Sequence, residues 1–224
     1  MFNLTEDQEM IQKMVREFAE ERIAPTVLER DDKHIFDREI VDELGQMGLT
    51  GLYFPEEYCG AGADYLSYIL AVEELSKVDD GIGITLSASV SLCANPIFEF
   101  GSEEQKEKYL TKLASGESLG AFGLTEPGAG TDAAGQQTVA VLENGHYVMN
   151  GSKIFITNGS EAEIYVVFAM TDKTKGTKGI TAFILEKGME GFSFGKKEHK
   201  LGIHTSITTE LIFQDVKVPV ENRL

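Results

Sequence analysis

The sequence predicts an α+β fold, with an all-helical first part over residues 1–120 and an antiparallel β-barrel or sandwich over residues 121–224. Three observations carry this. Up to about Ser115, apolar residues recur at helical spacing behind capping signals. Beyond residue 136, short apolar runs alternate with Asn-Gly and other glycine turns. Between them lie residues 121–132, A-F-G-L-T-E-P-G-A-G-T-D, a small polar stretch that turns without filling a core. The residues alone leave two readings of that stretch. It is either a ligand-lining segment or a connection built from ordinary turn formers.

The helical elements follow in order. Thr5 with Gln8 is a capping box, and Ile11, Met14, Val15, Phe18 and Arg22 continue at helical spacing until Ala24-Pro25, where the helix is expected to end. Asp37 opens a second helix through Ile40, Val41, Leu44 and Met47, stopped at Gly48. Residues 52–64 read as a loop. Residues 65–76 read as a helix with Ile69, Leu70, Val72 and Leu75 toward the core. Residues 81–100 are small, apolar and serine-rich, as in a buried helix, with Pro96 restricting the far end. Ser102 and Gln105 form a second capping box, and that helix runs through Tyr109, Leu110 and Leu113 to Gly116.

Strand signals take over after the central stretch. Residues 137–142 and 146–150 are joined by Glu143-Asn144-Gly145, a strong hairpin signal. Asn150-Gly151 reads as a second turn, before a strand over 153–157 closed by Asn158-Gly159. Residues 164–170 are nearly continuous Tyr, Val and Phe, as in a strand buried on both faces. Residues 173–179 form a basic, glycine-broken loop. Runs at 180–186, 192–195 and 208–213 complete six or seven strands, and residues 215–219 lead away.

The net charge of −17 excludes nucleic acid and anionic membrane as main partners, since both demand basic patches. No apolar run approaches the roughly 20 residues of a membrane span. Two cysteines, Cys59 and Cys93, build neither a disulfide framework nor a zinc site, so a reducing compartment is expected, and the cytoplasm with it. His34, His146, His199 and His204 are scattered without metal-ligand spacing. Gly128-Ala129-Gly130 lacks the G-x-G-x-x-G spacing and the surrounding βαβ pattern of a dinucleotide fold. No nucleophile elbow or phosphate loop is present, and no carboxylate is marked as a base.

Three stretches resemble the acyl-CoA dehydrogenase family: residues 121–132, residues 150–159 (N-G-S-K-I-F-I-T-N-G) and residues 215–224 (D-V-K-V-P-V-E-N-R-L). The agreement extends over essentially the whole chain. Residues 85–97 (T-L-S-A-S-V-S-L-C-A-N-P-I) and 119–127 (L-G-A-F-G-L-T-E-P) are most similar to its short-chain branch, the butyryl-CoA dehydrogenases of anaerobic bacteria. The resemblance implies FAD as cofactor and an acyl-CoA substrate. It implies an electron-transferring flavoprotein as redox partner and a homotetramer in full-length members. Phe122, Gly123, Leu124, Thr125, Gly130 and Thr131 would lie along the flavin and its pyrophosphate, with Thr125 on the pyrimidine side of the ring. Phe155, Ile156 and Thr157 would cover the other side, the Thr157 hydroxyl near flavin N5. A short acyl chain would enter beside Thr131 and end against Ala88 and Leu92. By position alone, Phe122 and Phe155 are equally core aromatics, and the threonines equally turn caps. Two departures stand out: Phe155 where the family often has tryptophan, and Cys59 where glycine is usual. The family's catalytic glutamate lies in a third, helical domain. The resemblance therefore implies a truncated chain with no catalytic residue of its own, inactive alone, or else a non-catalytic binding module.

Overall fold

The computed structural model describes residues 3–224. Helix α1 (Glu6–Phe18) opens on its capping box, with the Gln8 N–H donating to Thr5 Oγ1 at 3.3 Å and the Thr5 N–H to Gln8 Oε1 at 3.0 Å. The helical path does not end at Ala24-Pro25. A π-helical turn (Ala19–Ile23) leads directly into α2 (Ala24–Asp32), with Pro25 in its first turn. Proline has no N–H to give the preceding turn, but in a first turn that donor is not needed. The wide turn before it, closed by the Ala24 N–H on the Ala19 carbonyl, takes up the mismatch.

Asp37 caps α3 (Arg38–Gln46), and Gly48, at φ +76°, turns the chain away. Asp64 caps α4 (Tyr65–Val78). Leu70 and Leu75 are buried there as expected, but Ile69 is exposed and Val72 only half-buried. Tyr68 and Ala71 face inward instead. Arg16 of α1 grips Glu74 on that same face through two bonds of 2.9 and 3.0 Å, and Ile69 lies about 100° around the helix from Tyr68.

Helix α5 (Asp80–Ser87), a π-helical turn (Ala88–Ala94) and α6 (Asn95–Phe100) form one unbroken stretch. Within its 21 residues an 18-residue window has a mean hydropathy of 1.4, so a run of span length exists after all, hidden by its interspersed serines. It is largely buried inside the protein, as a core helix is. Helix α7 (Glu103–Gln105), a π-turn (Lys106–Leu110) and α8 (Thr111–Ala114) complete the helical part, from the Ser102–Gln105 capping box to Gly116 at φ +79°.

Seven strands follow: β1 (Gly120–Gly123), β2 (Val139–Glu143), β3 (His146–Thr157), β4 (Ile164–Met170), β5 (Ile180–Glu186), β6 (Phe192–Lys197) and β7 (Thr208–Pro219). Strand β1, inside the central stretch, is not apparent from the sequence. The β2–β3 hairpin turns on Asn144 and Gly145, both at positive φ. Asn150-Gly151, by contrast, is no turn. β3 runs through it; the register shift there comes from an extra residue on β7 at Gln214-Asp215, with Asp215 at φ +54°, and Gly151 lies on the facing strand at φ +142°. A Cβ there would come within 2.6 Å of Thr138 Oγ1. β7 likewise passes Asp215 and runs on to Pro219.

The sheet order is β1-β4-β2-β3-β7-β6, with β5 also on β4. It is mixed, which corrects the antiparallel expectation: β1 pairs with β4 in parallel, and β2 meets β4 in parallel at Val139–Met170. Parallel pairing needs a long connection, and the chain between β1 and β4 supplies one that itself contributes β2 and β3. Hairpin signals report only neighbouring strands and are blind to this.

One continuous apolar core joins helices and sheet, from Val15 and Leu44 to Tyr165 and Val218. The long helix lies directly on β1. The Gly120 N–H donates to Ser89 Oγ at 2.9 Å, and a Cβ at Gly120 would meet the Cys93 Cβ at 2.7 Å. Buried Asn158 donates to the carbonyls of Thr85 and Gly120, both at 3.0 Å. Three of the scattered histidines meet in space: His34 stacks on His204 at 4.0 Å and lies 5.0 Å from His199. No group of side chains suited to a metal ion occurs among the described residues.

Candidate functional site

A cavity of about 250 Å³ opens where the long helix, the end of β1 and the end of β3 converge, lined by Ala88, Leu92, Phe122, Leu124, Thr125, Phe155, Ile156 and Thr157. These segments are far apart in sequence and each is placed by backbone bonds. The Ile154 N–H donates to the Thr125 carbonyl at 2.8 Å, tying β3 to the stretch after β1. Between Lys153 and Ile156 the β3–β7 register slips, and Phe155 sits at φ +60° and is 60% exposed. An aromatic residue that is both left-handed and exposed costs free energy twice, a combination that marks functional sites.

Not every residue named from the sequence reaches this cavity. Gly123 lies behind it, where a Cβ would press on Leu211, Val167 and Lys153 at 3.3–3.4 Å. Gly130 and Thr131 lie on the exposed turn after Glu126, outside the cavity lining. A Cβ at Gly128 or Gly130 would meet nothing within 4 Å, and neither residue needs positive φ. Neither packing nor backbone conformation within the chain requires glycine at these two positions. A second, apolar cavity of about 450 Å³ shares Leu92 and Phe122 with the first and continues to Phe168, Ala182 and Leu224.

Behind the cavity lies a polar network that the sequence reading missed. Lys153, wholly buried, donates to Glu126 Oε1 at 2.7 Å, to the Leu124 carbonyl at 3.0 Å and to Gln136 Oε1 at 3.0 Å. Glu126, read from the sequence as a structural acid bonded to backbone, accepts from the N–H groups of Gln137 and Thr138 and carries the ion pair as well. Burial pushes the Glu126 carboxyl up, but the Gln137 N–H and the ammonium outweigh it and hold the group below the usual carboxylate range. Burial pulls Lys153 below the ordinary lysine value, against the opposing pull of Glu126. The available signal was alternation: Lys153 falls on the same inward row as Tyr147 and Met149.

The lining carries no ionisable group. It offers the hydroxyls of Thr125 and Thr157, the ring of Phe155, and the Thr125 N–H, which has no acceptor among the described residues. Donors around an apolar slot suit a flat ring with acceptor atoms on its edge. They do not suit acid–base or nucleophilic chemistry unaided.

Comparison with known proteins agrees. The family model for the acyl-CoA dehydrogenase N-terminal domain matches residues 5–117, and that for the middle domain matches residues 121–216. The solved butyryl-CoA dehydrogenase of Megasphaera elsdenii superposes with a TM-score of 0.98 at 63% identity, covering all of this chain and 60% of that one. A chain in the structure described as the electron transferring flavoprotein of Acidaminococcus fermentans gives 0.99 at 68% identity, over all of this chain and 59% of that one. An acyl-CoA dehydrogenase of Bacillus anthracis, complexed with FAD, gives 0.92 at 42% identity, over 99% of this chain and 38% of that one. The chain thus spans about three fifths of the length of the first two. With both domain models matched in order, and the cavity at the junction of the segments they cover, this chain belongs to the acyl-CoA dehydrogenase family.

Proposed function

We propose that this chain forms the FAD- and acyl-CoA-binding part of a short-chain acyl-CoA dehydrogenase, with residues 1–120 as its helical domain and 121–224 as its β domain. The observation that carries this is the convergence of Thr125, Thr157 and Phe155 on one cavity beside Ala88 and Leu92. The residues fit the cofactor: free donors face an apolar slot, and bare glycines flank it on the exposed turn. Phe122, Leu124, Thr125, Phe155, Ile156 and Thr157 would hold the ring, while Gly130 and Thr131 would meet the pyrophosphate and pantetheine. When bound, FAD supplies the hydride acceptor for α,β-dehydrogenation of a butyryl-CoA-like thioester.

The protein's own contribution is binding, orientation and polarity. Thr125 and Thr157 stand on backbone already held, Thr125 by the Ile154 N–H and Thr157 by its pairing with Thr208, so little reorganisation is needed as charge develops beside them. Phe155 covers one face and excludes water. Ala88 and Leu92 end the slot and admit only a short acyl tail. The assembled enzyme is a cytoplasmic homotetramer that passes electrons to an electron-transferring flavoprotein. That partner reading is supported by the electron transferring flavoprotein structure in which a similar chain occurs.

A titration of the flavin-free chain with FAD and with FMN tests the cofactor. FAD binding with altered flavin fluorescence is expected, and stronger binding of FMN would overturn the reading. Acyl-chain profiling of a complete enzyme containing this sequence tests the substrate; preference for octanoyl over butyryl thioesters would refute a short slot.

A further inference from the structure

Lys153 has three N–H donors and uses all of them, on Leu124, Glu126 and Gln136. It has none left for a ligand, so it touches neither cofactor nor substrate. As a contributor to stability it is a poor choice, because a well-packed apolar residue serves about as well as a buried ion pair. What an apolar residue cannot do is hold the Leu124 carbonyl inward. The Leu124–Thr125 peptide is trans, and in a trans peptide the C=O and N–H point in opposite directions. With the carbonyl held toward the buried ammonium, the Thr125 N–H points away from it, on the side where Leu124 and Thr125 line the cavity. That N–H has no acceptor among the described residues. The next carbonyl, of Thr125, is fixed separately by the Ile154 N–H, so the two peptides are held independently.

We propose that Lys153 is a positioning residue: anchored by Glu126, it fixes the Leu124–Thr125 peptide so that the Thr125 N–H is presented to the flavin ring. This rests on the FAD reading above. The ammonium also polarises the peptide it holds, which strengthens the donor at its other end. Glu126 keeps the ammonium in place, and Gln137 and Thr138 keep Glu126 in place. The orientation is therefore built into the chain before any cofactor binds.

The test uses the wild-type chain and the double variant K153M/E126Q, in which neither partner is left as a lone buried charge. In the flavin-free wild type, the Thr125 amide should exchange with solvent far faster than the amides of Ile154 and Glu126. Saturation with FAD should slow it at least a hundredfold. In the double variant the Thr125 amide resonance should move while those of β7 stay in place. FAD affinity should fall at least tenfold, with a changed visible band shape. A Thr125 amide already protected in the free wild type would overturn the proposal, whether or not the variant folds. So would a folded double variant with wild-type amide shifts, FAD affinity and spectrum. If the Thr125 amide behaves as expected but the wild type takes up no FAD, the preset orientation stands and the FAD reading fails instead.

Discussion

The Thr205 hydroxyl donates to Asp79 Oδ1 at 2.6 Å, so the loop between β6 and β7 is tied to the cap of α5. The same carboxylate accepts from the N–H groups of Gly81 and Ile82 and pairs with buried Arg30 at 2.8 Å. Removing Asp79 leaves the buried arginine without a carboxylate, its remaining partners being the Thr26 hydroxyl and the Ile23 carbonyl. Asp79→Ala should cost about 3–5 kcal/mol, the usual penalty for breaking a buried pair from one side. Thr205→Val should cost only about 1 kcal/mol. Urea unfolding of both variants checks this; near-equal losses would contradict a hub centred on Asp79.

Acid should loosen the same corner of the fold in two stages. Burial, then the neighbouring His204, His199 and Lys197, hold His34 below the ordinary histidine value. A lowered histidine favours the neutral folded form, so its stabilisation is present above about pH 6.5 and is lost as pH falls through the folded value. The His204 backbone N–H holds Asp31 below the usual aspartate value, and that contribution disappears only at lower pH, below about 4. Thermal midpoints should therefore drop between pH 7 and 5, then again below 4. His34→Gln should flatten the first drop; a parallel curve would show that the cluster is not its source.

Phe155 should trade stability for binding. Its left-handed backbone costs about 1–2 kcal/mol, which glycine avoids, while glycine loses roughly 0.5–1 kcal/mol through the freedom of the unfolded chain. Phe155→Gly should thus unfold at slightly higher denaturant, by about 0.5 kcal/mol, yet bind FAD at least tenfold more weakly. A variant that is both less stable and fully competent for FAD would contradict the assignment of Phe155 to the cofactor wall.

Thioester α-protons are weakly acidic, and removing one calls for a positioned base. The cavity lining has none, and Glu126, the acid nearest in sequence, is committed to Gln137, Thr138 and Lys153. Anaerobic butyryl-CoA added to the FAD-loaded 224-residue chain should therefore leave the flavin oxidised. Stoichiometric bleaching would instead point to a resident acid at work, with Glu126→Gln the variant to examine next.

Much of the fold was legible because its signals are local. The capping boxes at Thr5 and Ser102 span four residues each, and the Asn144-Gly145 turn only two. The buried strand β4 is a single run of seven residues. Where local signals misled, the same residue type served a second purpose. Pro25 begins a helix segment rather than ending one, Gly151 continues a strand rather than making a turn, and Ile69 lies outside the buried face that Tyr68, Ala71, Glu74 and Leu75 form. Of the site, the motif stretches marked Thr125, Phe155 and Thr157, and the cavity gathers them with Ala88 and Leu92.

By itself, the sequence determined the succession of helices and strands, the hairpins, and the stretches with ligand-lining chemistry, because each depends on residues within a few positions of one another. Only the tertiary structure decided that β1 and β4 run parallel, that Phe155 projects from a left-handed bulge, and that Lys153 meets a carboxylate 27 positions away. The reason is physical. Turn and capping preferences act through one or two backbone bonds, whereas a buried charge or a strand neighbour is chosen by whatever the closed core brings alongside it.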